Sequence, residues 1–93
     1  MEFTWSRAKA AGNERKHGVS FAEAITVFGD ALSLTSFDPD HSDVEDRFIT
    51  MGTSAAGRLL VVVHSDQDDH VRIISAREAT RRERKDYEND RFP

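Results

Sequence analysis

The stretch Arg58-Leu59-Leu60-Val61-Val62-Val63-His64-Ser65 decides the architecture. Its centre is apolar without alternation and rich in β-branched residues, the pattern of a strand covered on both faces in the middle of a sheet. Upstream, Thr53 to Gly57 forms a turn of small residues and Arg47 to Met51 a neighbouring strand. Downstream, Asp66 to Asp69 makes a polar turn into the strand Val71-Arg72-Ile73-Ile74. Further upstream, Leu32 and Leu34 alternate with Ser33 and Thr35, so a half-buried strand runs to Phe37. The acidic, turn-rich segment Asp38-Pro39-Asp40-His41-Ser42-Asp43 then crosses solvent to the next strand. These pieces form an antiparallel meander of four strands.

Helical signals flank the meander. Ser6 is placed to cap a helix from Arg7 to His17, and Gly18 to end it in the left-handed conformation. Ser20 and Glu23 match a capping box, after which Phe21, Ala24, Ile25 and Phe28 recur at helical spacing up to Gly29. Thr80 and Glu83 match a second box, opening a charged helix from Arg81 to Asn89. With the short aromatic stretch Phe3 to Trp5 as an N-terminal strand, the fold class is α+β. It has two N-terminal helices, about four antiparallel strands and one C-terminal helix. The 93 residues make one domain, with a frayed end beyond about Asn89.

Composition narrows the chemistry. No cysteine is present, which removes disulfides, thiolate metal sites and thiol nucleophiles and fits a cytoplasmic protein. No apolar run approaches the roughly 20 residues of a membrane helix. The histidines His17, His41, His64 and His70 lack metal-site spacing, and Asp38-x-Asp40-x-x-Asp43 lacks the central glycine and final glutamate of a calcium loop, so no metal and no cofactor is expected. Phosphate-binding glycine loops and the nucleophile-elbow motif are absent as well.

The net charge of −4 is unevenly spread: residues 1–46 carry four basic and nine acidic side chains, residues 47–93 nine and eight. Cations therefore gather in the C-terminal half. Arg72 interrupts an apolar strand, where it either pairs with a carboxylate such as Glu45 or Asp46 or meets an anion. Arg47 opens one neighbouring strand, His64 closes another, and Arg77 and Arg81 follow at Ser75 to Thr80, read as the junction into the last helix. A helix N-terminus among cations suits a phosphate group. Such a set also suits RNA cleavage, which needs only cations for the phosphate charge and groups to move protons at the 2′- and 5′-oxygens. In the plainer reading Arg82 and Arg84 solubilise the helix, while Lys16 and His17 neutralise a helix end.

Three motifs carry a resemblance. Phe3-x-Trp5, Arg15-Lys16-His17-Gly18-Val19-Ser20-Phe21-x-Glu23-Ala24 and Ile73-Ile74-Ser75-Ala76-Arg77-x-Ala79-Thr80-x-x-Glu83 together resemble the BrnT family. Asp38-Pro39-Asp40-His41-Ser42, Arg47-Phe48-Ile49-x-Met51-Gly52 and the apolar strand ending in His64 stand between them in the family's order. The resemblance implies a RelE-like fold and the toxin of a bacterial type II toxin–antitoxin pair, a metal-independent endoribonuclease that halts translation and growth. Its partners would be RNA and a BrnA-like ribbon-helix-helix antitoxin, with operator DNA reached only through that antitoxin. It implies catalytic residues at Lys16, His64, Arg72 and Arg77 and RNA-binding residues at Arg47 and Arg81. Within that set, Arg72 and Arg77 would meet the phosphate and Lys16 or His64 move protons. The acidic balance departs from the basic surface of such nucleases, which leaves a non-catalytic antitoxin-binding module of the same fold as the alternative.

Overall fold

The computed structural model describes residues 2–38 and 46–89. Strand β1 spans Glu2–Thr4, helix α1 Arg7–His17 and helix α2 Phe21–Ile25, continued by a 3-10 turn over Thr26–Gly29. Strands β2 (Leu34–Phe37), β3 (Arg47–Thr53), β4 (Leu59–Asp66) and β5 (His70–Glu78) follow, and helix α3 covers Arg81–Glu88. The sheet order is β1-β5-β4-β3-β2, so the all-apolar strand β4 is central, as its sequence requires.

The meander from β2 to β5 is antiparallel, but the sheet as a whole is mixed. β1 lies parallel to β5, with Phe3 beside Val71. The chain leaves β1 through α1 and α2, starts the meander at the far edge and brings β5 back alongside β1 in the same direction. The helices also differ from expectation. α2 stops at Ile25 because the β-branched run Ile25-Thr26-Val27 disfavours further α-helix, and the Thr26 hydroxyl bonds back to the Glu23 carbonyl at 2.6 Å. Ser20 caps the Glu23 amide, but the Glu23 carboxylate turns to Arg58 and Ser54, so only half of that capping box forms. The box at Thr80 and Glu83 is complete. Ser75 to Glu78, read as a helix junction, belong to β5 because they pair with Val63 to Leu60. β2 starts at Leu34, since the Asp30 carboxylate holds the Leu32 amide in a turn. Residues 39–45 and 90–93, which contain most of the acidic segment and the expected frayed end, lie outside the described residues.

Val19, Phe21, Ala24 and Val27 pack from the helices onto Leu60, Val62, Val71, Ile73 and Ala76, which makes one sheet face the main core. α1 has no apolar stripe of its own and is held by a polar strut. Buried Asn13 donates to the Val19 and Ala76 carbonyls at 2.9 and 2.8 Å and accepts from the Ala76 amide at 3.0 Å. At the end of α1, Arg58 joins Gly18, Glu23 and Glu78 in one network. Gly52 lets β3 approach the turn before β2, for a methyl group there would stand 2.9 Å from both Val27 and Ser33. On the opposite face Ala79 and, from α3, Tyr87 pack on a smaller cluster of Met51, Leu59 and Val61.

Candidate RNA-binding face

That second face is not fully covered. Within Leu59 to Ser65 only Val63 is part-exposed, so the expected burial of the central strand on both faces fails at this one residue. Val63 lines a groove of about 220 Å³ with Asp38, Arg47, Ile74 and Ser75. The groove exists because α3 is short and reaches only the Met51 end of the sheet.

Strand β5 places the arginines around this groove. Ile73 stands opposite His64 and Ser75 opposite Val63, which leaves Ile74 as an extra residue, a β-bulge. In an unbroken strand, residues five apart point to opposite faces. The bulge resets the alternation. Arg72, opposite Ser65, and Arg77, opposite Val61, consequently share the open face, and Ser75 joins them instead of pointing away from Arg72. Arg47 stands opposite Ser65 from the other side, so Arg47, Ser65 and Arg72 form a row across three strands. The face thus has an apolar floor of Val63 and Ile74, a pair of arginines at one end and Arg77 at the other. Glu45, one carboxylate considered for Arg72, lies outside the described residues.

Arg77 is engaged by α3. Its Nη1 and Nη2 donate to Glu83 Oε1 and Oε2 at 2.7 and 2.8 Å, a two-bond fork. Hydrogen bonding from Arg77, together with the Thr80 amide and against the cost of burial, holds the Glu83 carboxyl down at about 2. The same fork raises the Arg77 guanidinium. Arg81 is exposed as the first residue of α3.

Two expected site residues stand elsewhere. His64 points into the helix-covered face with Leu60 and Val62 and is only 2% exposed. Its Nδ1 donates to Asp66 at 2.7 Å, which fixes Nε2 as the acceptor of the Thr50 hydroxyl at 2.8 Å. Thr50 in turn accepts from the Thr35 hydroxyl at 2.7 Å. The ring lies 5.0 Å from Phe28 and 6.0 Å from Phe48, and burial pushes its pKa below the usual histidine value. It is a neutral core group without access to the groove. Lys16 is exposed at the C-terminal end of α1, a helix packed on the other side of β5. Three of the six expected cations therefore meet on one face, Arg81 follows in α3, and Lys16 and His64 are separated from them by the sheet. Among the described residues no three His, Asp or Glu side chains stand together as a metal site would require. Sequence reading missed the bulge at Ile74 and the second duty of Glu83. The Thr80-x-x-Glu83 spacing identified only the cap.

A family model described as the ribonuclease toxin BrnT of type II toxin–antitoxin systems matches residues 5–83. The chain belongs to the BrnT family. Its fold is similar to that of the Brucella abortus ribonuclease toxin BrnT, known from a crystal structure at 1.1 Å resolution, with a TM-score of 0.64. That likeness covers 87% of this chain and 99% of the Brucella chain at 21% sequence identity. No curated protein sequence matches this chain. The matched span includes Arg47, Ser65, Arg72, Arg77 and Glu83. None of its described helices is long and apolar enough to cross a membrane.

Proposed function

We propose that this BrnT-family toxin is an endoribonuclease that binds single-stranded RNA across the open sheet face and cleaves it without a metal ion. The observation that carries this reading is the bulge at Ile74, which sets Arg72 and Arg77 on one face at either end of an apolar floor. Arginine forks suit phosphate oxygens, and an apolar floor between them suits an unstacked base. In the cleavage step the 2′-oxygen attacks the adjacent phosphorus as its proton passes to water, the bond from phosphorus to the 5′-oxygen breaks, and the departing 5′-oxygen takes a proton from water. The products are a 2′,3′-cyclic phosphate and a 5′-hydroxyl. Arg72 and Arg77 each hold a phosphate at their own end of the floor and, at the reacting one, stabilise the added charge on the phosphoryl oxygens, while Arg47 and Arg81 steer the flanking backbone. His64 acts through the fold, and Lys16 stands outside this step. Cleavage halts translation and growth, and a BrnA-like ribbon-helix-helix antitoxin neutralises the toxin and carries the pair to operator DNA.

The test is expression of the chain alone in a bacterial host, following growth and total RNA beside an Arg72→Ala/Arg77→Ala variant at matched level. Growth arrest with RNA breakdown in the wild type alone is the expected result, and a chelator leaves cleavage by the purified protein unchanged. A folded, abundant wild type with neither effect overturns the nuclease reading in favour of an antitoxin-binding module.

A further inference from the structure

Glu83 does two things at once. Its Oε1 accepts from both the Thr80 amide and Arg77 Nη1, at 2.9 and 2.7 Å, whereas Oε2 accepts from Arg77 Nη2. The first contact completes the helix cap. The second covers the planar fork of Arg77 with two oxygens, the arrangement in which arginine also receives two phosphate oxygens. α3, which brings this carboxylate, contributes no fully buried residue, and it is tied to the turn before β2 by the Tyr87 hydroxyl donating to the Leu32 carbonyl at 2.9 Å.

We propose that Glu83 is an internal occupant of a phosphate site: its carboxylate rests on Arg77 where a phosphate of single-stranded RNA binds, and RNA must displace it. The inference rests on the open face being the RNA site. Displacement is possible without loss of the helix, because a carboxylate that gives up Arg77 keeps the Thr80 amide and remains the cap. Acidification does not open the site in any physiological range, since the Glu83 carboxyl is held down at about 2. Competition by another anion does. A loosely held polyanion makes one weak contact and fails to displace a tethered carboxylate, whereas a strand already held at Arg47 and Arg72 delivers its next phosphate to Arg77 at high local concentration. Glu83 thereby restricts Arg77 to strands that span the face. This fits a chain whose overall charge is −4 rather than strongly basic.

Glutamine is the informative substitution, because the capping box accepts Glu or Gln at this position while the negative charge that Glu83 sets against Arg77 is lost. The probe is a fluorescent 2′-O-methyl RNA single strand, which lacks the attacking hydroxyl. Its binding is followed by anisotropy with the full chain as wild type, Glu83→Gln, Arg77→Ala and the double variant. Glu83→Gln is expected to tighten binding about fivefold, the scale of a part-exposed ion pair. In the Arg77→Ala background the same change should alter binding less than about twofold. Equal tightening in both backgrounds means that bulk charge is the cause, and overturns the proposal. If Arg77→Ala weakens binding but Glu83→Gln leaves it unchanged, Arg77 meets phosphate without an internal competitor; the inference fails and the RNA site stands. If Arg77→Ala loses nothing, the RNA site itself fails at this end. Should Glu83→Gln unfold, NMR of the wild type decides: RNA must shift the Arg77 guanidinium signals while the Thr80 amide stays protected, and an unmoved guanidinium overturns the exchange.

Discussion

On the helix-covered face of the sheet, Asn13 and His64 lie below the surface with their polar atoms assigned to named partners, Asn13 to Val19 and Ala76, His64 to Asp66 and Thr50. On the open face Arg72 and Arg77 stand half exposed beside Val63 and Ile74. The two faces belong to the same strands, and Ala76 and Arg77 are consecutive residues. The difference teaches how each polar group is to be read. A group whose hydrogen bonds are all spent inside the core positions its neighbours, and Asn13 does so at the residue before Arg77. A cation beside exposed apolar surface remains able to change partner.

The sharpest way to break this comparison is to exchange the consequences of mutation on the two faces. Arg72→Ala/Arg77→Ala should reduce RNA cleavage by about two to three orders of magnitude, the scale of removing transition-state donors, and lower the melting temperature by only a few degrees through loss of the Arg77–Glu83 fork. Cleavage of a fluorogenic RNA beside a thermal melt reads both. A folded double variant with full activity would falsify the assignment of the open face. Asn13→Ala should do the reverse: it strands the Ala76 amide and two carbonyls, costing about 3 kcal/mol or more, with activity lost only in step with the folded fraction. Denaturant melts monitored with activity at each point separate the two. A stable but inactive Asn13→Ala would place Asn13 in the chemistry instead.

Adjacent valines sharpen the contrast further. Val62 is fully buried against the helices and Val63 is the part-exposed floor of the groove. Threonine has nearly the shape of valine but adds a hydroxyl. Val62→Thr should cost about 1–3 kcal/mol for a buried hydroxyl, and Val63→Thr less than about 0.5 kcal/mol because the hydroxyl reaches water. Equal costs in denaturant melts would mean that both faces are closed.

Much of the fold was legible in the chain. The meander, its central strand, the Ser6, Ser20 and Thr80 caps and Gly18 in the left-handed region all rest on local patterns, and the structure keeps them. What was not legible is set between segments. The direction of β1 depends on the path through α1 and α2 to the far edge of the sheet. The bulge at Ile74 carries no glycine or proline to mark it and exists only in relation to Val63 and His64 across the ladder. It is nevertheless what puts Arg72 and Arg77 on one face. For the site, the cations were legible by type, but their sides were not. His64 did carry a signal: it shares its parity with Leu60 and Val62, the residues facing the helices, and that parity argues for burial before any proton chemistry.

The smallest predicted effect concerns this histidine. In the folded chain burial lowers the His64 pKa from its ordinary 6.5, with the Asp66 bond opposing that shift. The unfolded chain therefore takes up the proton first as the medium becomes acidic. This contribution to stability is complete above about pH 6.5 and is lost progressively as pH falls through 6.5 toward the lower folded value. The carboxylates whose pKa values are lowered, Glu23, Asp30, Asp69 and Glu83, lose their contributions only below their ordinary values of 4.5, 3.8, 3.8 and 4.5, so the interval from 6.5 to about 5 isolates histidine. Across that interval the wild type should lose a few degrees of melting temperature, and His64→Gln, although less stable throughout, should show a flatter profile. Parallel profiles would remove His64 as the titrating group. Loss of cleavage beyond the unfolded fraction in His64→Gln would instead return it to the reaction, reached through the Thr50 and Thr35 hydroxyls rather than from the groove.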